Sequence, residues 1–269
     1  MANITSDLVK QLREKTGAGM MDCKKALAAA EGDIEKAVDQ LRKTGAAKAA
    51  KKAHRSAKEG VAKPVIQEQS AVMVEVLCET DFAAKNENFE EYVNNLANRV
   101  LTNYEGEQDL TGELPEQEKD NVAELVSQIG ENIQPRRAIR WEGSGVFGSY
   151  MHMGGKISAL VEIEGEEATE ELAKNICMHI AAFSPSYISP DDIPESKLES
   201  EREVAKAQVS DKPAHIIDNI VEGKLNKWFT EVCLTKQPWL RDDKTCLEEI
   251  APGVKVKRFL RWAVGEEIE

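Results

Sequence analysis

Two stretches of this chain pass through the same order of patterns, and that order narrows the folds open to it. Residues 61–66 and 71–78 are apolar, β-rich runs split by Gln67-Glu68-Gln69-Ser70. A helical pattern follows, with Phe89, Tyr92, Val93, Leu96 and Val100 on one side. Residues 146–151 and 157–163 are again strand-like, joined through Gly154-Gly155, and 172–183 is again helical. Hairpin then helix, twice, predicts an α+β core of two similar subdomains with antiparallel sheets. The identities alone are too divergent to prove a duplication. An acidic connector at 105–120 and a helix around 122–129 lie between the two halves.

Ahead of this core, residues 1–45 read as a module of three short helices. Thr5 is placed to cap the first, whose apolar side is Leu8, Val9 and Leu12. Thr16-Gly17-Ala18-Gly19 ends it, because two glycines in four residues admit turn conformations closed to other residues. Asp22 is the expected cap of the second helix, with Ala26, Leu27 and Ala30 inward. Gly32-Asp33 opens the third, where Ile34, Ala37, Val38 and Leu41 follow the helical period, and Gly45 is the expected stop. Residues 46–60 then form a basic linker. Across 42–63, eight lysines and arginines face Glu59 as the single acid, with alanines between them. That composition predicts a solvated helix or hinge.

The core N-subdomain is expected at 61–141 and the C-subdomain at 142–269. The second is interrupted by an insert at 185–229 with a different texture. Pro190 and Pro194 precede a charged helical run at 195–209, Asp211-Lys212-Pro213 makes a turn, and 214–229 is helical again. Two helices joined so tightly lie antiparallel. Strand-like residues return at 231–235 and 254–264. An insert that leaves a sheet and comes back projects from it, a placement suited to partner contact.

Charge and motif content exclude several function classes. With 48 acidic against 35 basic residues, the formal net charge is −13, a poor global match to nucleic acid or an anionic membrane. No stretch approaches the ~18 apolar residues of a membrane span. Residues 1–7 lack the charged and apolar regions of an export signal, and five scattered cysteines suit a reducing compartment, so the expected location is the cytosol. Gly143-Ser144-Gly145-Val146-Phe147-Gly148 satisfies GxGxxG, yet residues 149–155 read as strand and turn. A dinucleotide site needs a helix N-terminus there. Neither the cysteines nor His54, His152, His179 and His215 have zinc spacing, and Cys177 and His179 read as packing residues. The basic run lacks the interleaved aromatics that stack single strands. No cofactor, metal, bound nucleotide, direct nucleic-acid contact or catalytic constellation is therefore expected.

Two local patterns stand apart. Met20-Met21 sits at the mouth of a helix, where methionine serves equally as an adaptable contact or as core filler. In Glu79-Thr80-Asp81-Phe82-Ala83-Ala84-Lys85, a carboxylate and an aromatic stand together between strand and helix. Phe82 tucked inward with Asp81 as a cap, and Phe82 offered to a partner, are both open.

These patterns fall inside longer ones. Residues 12–27, from Leu12-Arg13-Glu14-Lys15-Thr16-Gly17-Ala18-Gly19-Met20-Met21 to Ala26-Leu27, resemble the N-terminal signature of the bacterial elongation factor Ts family. Thr80-Asp81-Phe82-Ala83-Ala84-Lys85 resembles its second signature. Ile129-Gly130-Glu131-Asn132-Ile133, Gly148-Ser149-Tyr150 with His152, Met178-His179-Ile180-Ala181-Ala182, and Leu234-Thr235 with Gln237-Pro238 continue the match in family order.

The resemblance implies a guanine nucleotide exchange factor, without covalent chemistry, for elongation factor Tu. It also implies a ubiquitin-associated-like N-domain, a two-subdomain core and a coiled-coil insert. It carries partner contact to Arg13, Met20 and Met21 in the N-domain, to Ile129, Gly130 and His152, and to Asp81 and Phe82. The loop Thr80, Asp81, Phe82 and Ala83 becomes the element that enters beside the partner's nucleotide and displaces magnesium. A heterodimer is implied, with higher-order assembly through the insert left open. GDP held at about nanomolar affinity is worth ~12 kcal/mol, so loosening it a thousandfold takes ~4 kcal/mol of coupling. Burying Phe82 supplies only ~1.5–3 kcal/mol. A broad interface of ~2,000 Å² or more is therefore expected to supply the rest. Leu77 stands where the family usually has Asn, and Ala83 where it usually has Val. The sequence ends at Glu269, before a further helix that many relatives have. From this, weaker but not absent binding to the partner is expected.

Overall fold

A computed structural model describes residues 4–209 and 213–268. The chain divides into two compact units, Met1–Glu142 with Met151–Ile157 and Trp262–Glu269, and Gly143–Tyr150 with Ser158–Arg261. In the first unit, helices α1 (Ser6–Thr16), α2 (Met20–Ala29) and α3 (Ile34–Lys52) close on Leu12, Cys23, Ala26, Leu27 and Ala37. Thr5 caps α1 by accepting from the Leu8 N–H, and Asp33 caps α3 by accepting from Glu35 and Lys36.

Two details depart from the sequence reading. The residue before α2 is Gly19, so Asp22 lies in the first turn, where its Oδ2 meets Lys48 Nζ at 2.7 Å. Gly45 does not end α3, which continues to Lys52 and takes in much of the basic stretch. A Cβ at Gly45 would lie 2.7 Å from Ser127 Oγ and 2.9 Å from the Ala123 carbonyl. The glycine therefore permits a close helix crossing, and its sequence signature is the same as that of a stop.

Strands β1 (Glu59–Gln67) and β2 (Ser70–Cys78) form the expected hairpin, pairing Val61 with Val76 and Gln67 with Ser70. Glu68 takes φ 51° in the turn. Helix α4 (Asp81–Ala84) and the long α5 (Glu87–Asn103) follow, then β3 (Gln108–Asp109), α6 (Leu114–Gln117), α7 (Lys119–Ile129) and β4 (Gln134–Glu142). The sheet order is β1-β2-β4-β3. Phe89, Val93, Leu96, Ala97 and Val100 of α5 cover the apolar face made by Val72, Val74 and Val76.

β4 is absent from the sequence reading because three arginines, Arg136, Arg137 and Arg140, disguise a strand. Their charges are matched locally. Arg137 Nε donates to Glu75 Oε2 at 2.6 Å, and Arg136 Nη1 to the same oxygen at 3.2 Å. The Gly265 N–H completes the Glu75 shell at 2.9 Å. Arg137 also stacks over the Trp262 ring at 4.2 Å. A fully buried carboxylate is tolerable only with such partners.

The second hairpin is β5 (Val146–His152) and β6 (Ile157–Glu164), joined by a 3₁₀ turn at Met153–Gly155. Helix α8 (Glu170–Phe183) follows. The insert is α9 (Glu195–Ala207) and α10 (Ala214–Val232), then come β7 (Pro238–Trp239), β8 (Asp242–Cys246), α11 (Leu247–Ile250) and β9 (Lys255–Ala263). Here the sheet order is β5-β6-β9. α9 and α10 run antiparallel around Ala205, Val209, Val221 and Leu225, with Lys224 Nζ donating to Gln208 Oε1 at 2.7 Å. The expected turn residues Asp211 and Lys212 lie outside the described residues. The expected strand at 231–235 is corrected: α10 runs on to Val232, and Cys233 makes one parallel bridge to Tyr187.

Both halves share one topology, hairpin, helix, then a third strand beside the hairpin's second. The likeness extends to chemistry. Glu162 of β6 is fully buried like Glu75 of β2, and Arg258 Nε of β9 donates to it at 2.7 Å as Arg137 of β4 does to Glu75. Arg136-Arg137-Ala138-Ile139-Arg140-Trp141 and Lys257-Arg258-Phe259-Leu260-Arg261-Trp262 are recognisable copies once aligned on these pairs.

The same carboxylate explains the glycine motif. A Cβ at Gly143 would overlap the Glu162 carboxylate, and one at Gly145 would lie 2.8 Å from Glu162 Cγ. One at Gly148 would lie 2.5 Å from Ala173 of α8. These glycines make room for a buried ion pair and a helix, and the chain there enters a strand.

Candidate functional site

Cys78 ends β2, and the chain turns at Glu79-Thr80 into α4. Thr80 is the N-cap, its Oγ1 accepting from the Ala83 N–H at 3.2 Å, and its carbonyl accepts from the Ala84 N–H. Ala83 and Ala84 point inward and are buried against the first core cluster. That burial leaves Phe82 on the outer side, where it is 82% exposed, the largest value among the large apolar side chains of the described residues. A tucked Phe82 is thereby excluded. Asp81 lies beside it and receives Lys85 Nζ at 3.0 Å. That hydrogen bond holds the Asp81 carboxyl below the usual carboxylate range.

A second loop meets this one. Helix α7 ends at Gly130, a left-handed cap with φ 87° whose N–H bonds the Val126 carbonyl at 2.9 Å. Its own carbonyl accepts from Lys52 Nζ at the end of α3. Next, Glu131 reaches back to the Phe82 loop: Oε2 accepts from the Thr80 N–H at 3.0 Å and Oε1 from the Thr80 hydroxyl at 2.7 Å. Glu79 reaches the other way, its Oε1 accepting from the Asn132 N–H at 2.7 Å, with Arg55 Nη1 at 3.4 Å. The buried Asn132 amide donates to the Arg55 carbonyl at 2.7 Å. Burial, reinforced by the Glu131 charge, pushes the Cys78 thiol up to about 12, so it stays protonated beneath the loop.

The structure thus brings Thr80, Asp81, Phe82 and Ala83 together with Ile129 and Gly130. Ile129 is half-buried against the core, and Gly130 is exposed. The N-terminal helices join from the other end of the same corner. Gln128 Nε2, one residue before Ile129, donates to the Thr16 carbonyl at 2.9 Å. Just beyond Thr16, Met20 and Met21 are 59% and 62% exposed, so they do not fill the core. Arg13 is exposed on α1.

His152 stands further along, exposed at the end of β5 and before a turn of three left-handed residues, Met153, Gly154 and Gly155. A Cβ at Gly155 would touch Val61 Cγ1 at 2.8 Å, and Lys156 pairs with Glu59, so the turn sits on the start of β1. Glu59 pairs in register with Cys78, the residue that leads into Thr80. Sequence reasoning passed over Met153, which is 74% exposed beside His152, and Glu131, which lies inside the 129–133 motif. A methionine before two glycines was the available signal for the first.

Neither departure from family residues falls on the exposed surface. Leu77 and Ala83 are 5% and 4% exposed; Ala83 packs in the core cluster under the loop, while Leu77 lies outside that cluster, on the face of β2 opposite Val76 and Cys78. Among the described residues there is no group of three histidines, cysteines or acids placed to hold a metal. Nor is any described helix long and apolar enough to cross a membrane.

Comparison with known proteins matches residues 79–266 to the family described as Elongation factor TS. The chain is 46% identical over 278 residues to Elongation factor Ts of Pediococcus pentosaceus, covering 100% of this chain and 94% of that one. It is 45% identical over 280 residues to Elongation factor Ts of Thioalkalivibrio sulfidiphilus, covering 99% and 94%. The chain belongs to the elongation factor Ts family. It is a protein of translation elongation with an α+β fold and antiparallel sheets. The match begins at Glu79, so the Phe82 loop and the Gly130 corner both lie inside it, while the N-terminal helices are covered by the full-length relatives.

Proposed function

We propose that this chain is a guanine nucleotide exchange factor for elongation factor Tu. It binds Tu with GDP, sets the loop at 80–83 beside the nucleotide and magnesium, and speeds GDP departure so that GTP can enter. The observation that carries this reading is Phe82, an aromatic 82% exposed on a helix anchored by buried Ala83 and Ala84. An exposed Phe gives up water only on meeting a partner, which favours complex formation by ~1.5–3 kcal/mol. Asp81 adds negative charge at the same tip, opposing bound phosphate or offering a rival site to magnesium. Arg13, Met20 and Met21 of a ubiquitin-associated-like module, Ile129, Gly130 and His152 extend the contact into the broad interface such coupling needs.

The reaction needs no covalent step and no nucleotide held by this chain. It takes place in the cytoplasm within a heterodimer, and the α9–α10 coiled coil is free to serve a further contact. Its test is release of fluorescent GDP from Tu by substoichiometric amounts of the purified chain. Each molecule is expected to discharge many Tu molecules. Release at the spontaneous rate would overturn the proposal.

A further inference from the structure

The two loops at the candidate site exchange carboxylates: Glu131 holds the backbone and hydroxyl of Thr80, while Glu79 holds the backbone of Asn132. We propose that Glu131 is a positioning residue for Phe82, keeping it presented to Tu without touching the partner itself. This rests on the exchange-factor reading and adds to it a part for a residue outside the contact surface.

A helix of four residues has too few hydrogen bonds to persist alone. α4 persists because Thr80 caps it, and the cap depends on which way the hydroxyl proton points. With Glu131 Oε1 at 2.7 Å, the proton goes to the carboxylate and a lone pair turns toward the Ala83 N–H at 3.2 Å. Without that acceptor the hydroxyl is free to rotate, and the cap on which Phe82 stands loosens. Glu131 Oε2 holds the Thr80 N–H as well, so one carboxylate fixes both the entry to the helix and its cap. The reciprocal bond from Glu79 keeps Glu131 in place by fixing the next residue, Asn132, whose side chain is tied to the Arg55 carbonyl just beyond α3. The gain is pre-organisation: Phe82 need not be ordered when the complex forms.

The test uses the full chain in the fluorescent GDP release assay, with Glu131→Gln, Phe82→Ala and the double variant, and Thr80→Val as a second route to the same loss. Glu131→Gln is expected to lower the maximal release rate about tenfold, with the half-maximal concentration moved less than about twofold, the size of one lost hydrogen bond to a charged group. In the Phe82→Ala background the same change is expected to add nothing. Thr80→Val should match Glu131→Gln. An undiminished further loss in the double variant, or a rise in half-maximal concentration at an unchanged maximal rate, would overturn the proposal. Amide exchange of the free chain keeps the test separate from the functional reading. Glu131→Gln should speed exchange of the Ala83 amide whether or not the wild type acts on Tu, and an unchanged Ala83 rate would refute the positioning role.

Discussion

Replacing Phe82 by alanine isolates the contact that the structure leaves most exposed. At 82% exposure, about four-fifths of the ~1.5–3 kcal/mol available from burying a phenylalanine has not been used in folding. That leaves ~1.2–2.5 kcal/mol to be realised against a partner, or an ~8- to 70-fold slowing of GDP release at limiting concentrations of the factor. The same exposure predicts little change in the chain's own stability, within ~0.5 kcal/mol. Both halves are measured on one preparation, release of fluorescent GDP from Tu in stopped flow and urea unfolding of the free chain. Release by Phe82→Ala at the wild-type rate would remove the residue from the mechanism while leaving family membership untouched. A large loss of stability would show that Phe82 belongs to the core, contrary to its position outside Ala83 and Ala84.

Packing and titration supply two further tests. Gly45→Ala adds ~1 kcal/mol of helix propensity, but its methyl group meets Ser127 Oγ at 2.7 Å and the Ala123 carbonyl at 2.9 Å, so urea unfolding should show a net loss of ~1–3 kcal/mol. A net gain would mean that α3 and α7 do not approach this closely. Burial holds the fully enclosed His179 imidazole below its ordinary range, and its Nδ1 must stay unprotonated to accept from the Leu240 N–H at 3.3 Å. The unfolded chain therefore takes up a proton near pH ~6.5 that the folded chain refuses. Stability is full above that pH and falls as pH drops toward the folded-state value. Urea midpoints at about pH 7.5 and about pH 5.5 should converge more in His179→Phe than in wild type, and identical slopes would refute the assignment.

Much of the fold was legible because local chemistry and tertiary structure agree. Thr5 and Asp33 cap the helices they precede, the Gln67–Ser70 turn closes the hairpin, and the α5 stripe from Phe89 to Val100 lies in the core. β4 was not legible. Its arginines belong to a strand only because Glu75, 62 residues before Arg137, is buried beside them. Gly45 was misread since a stop and a close crossing demand the same residue. At the candidate site, Phe82 stood out in sequence as a loop aromatic whose direction was open, and Gly130 only through the family resemblance. The bond that joins their loops did not, since Thr80 and Glu131 are 51 positions apart and neither pattern announces the other.

Coupling between this chain and GDP on a shared partner is the central claim, and coupling acts equally in both directions. The most direct measurement is the affinity of the chain for nucleotide-free Tu and for Tu saturated with GDP, by titration calorimetry in one buffer. The account predicts a ratio on the order of a thousandfold in favour of the empty form, equal to the factor by which the chain weakens GDP. Equal affinity for the two forms, however tight, would contradict it.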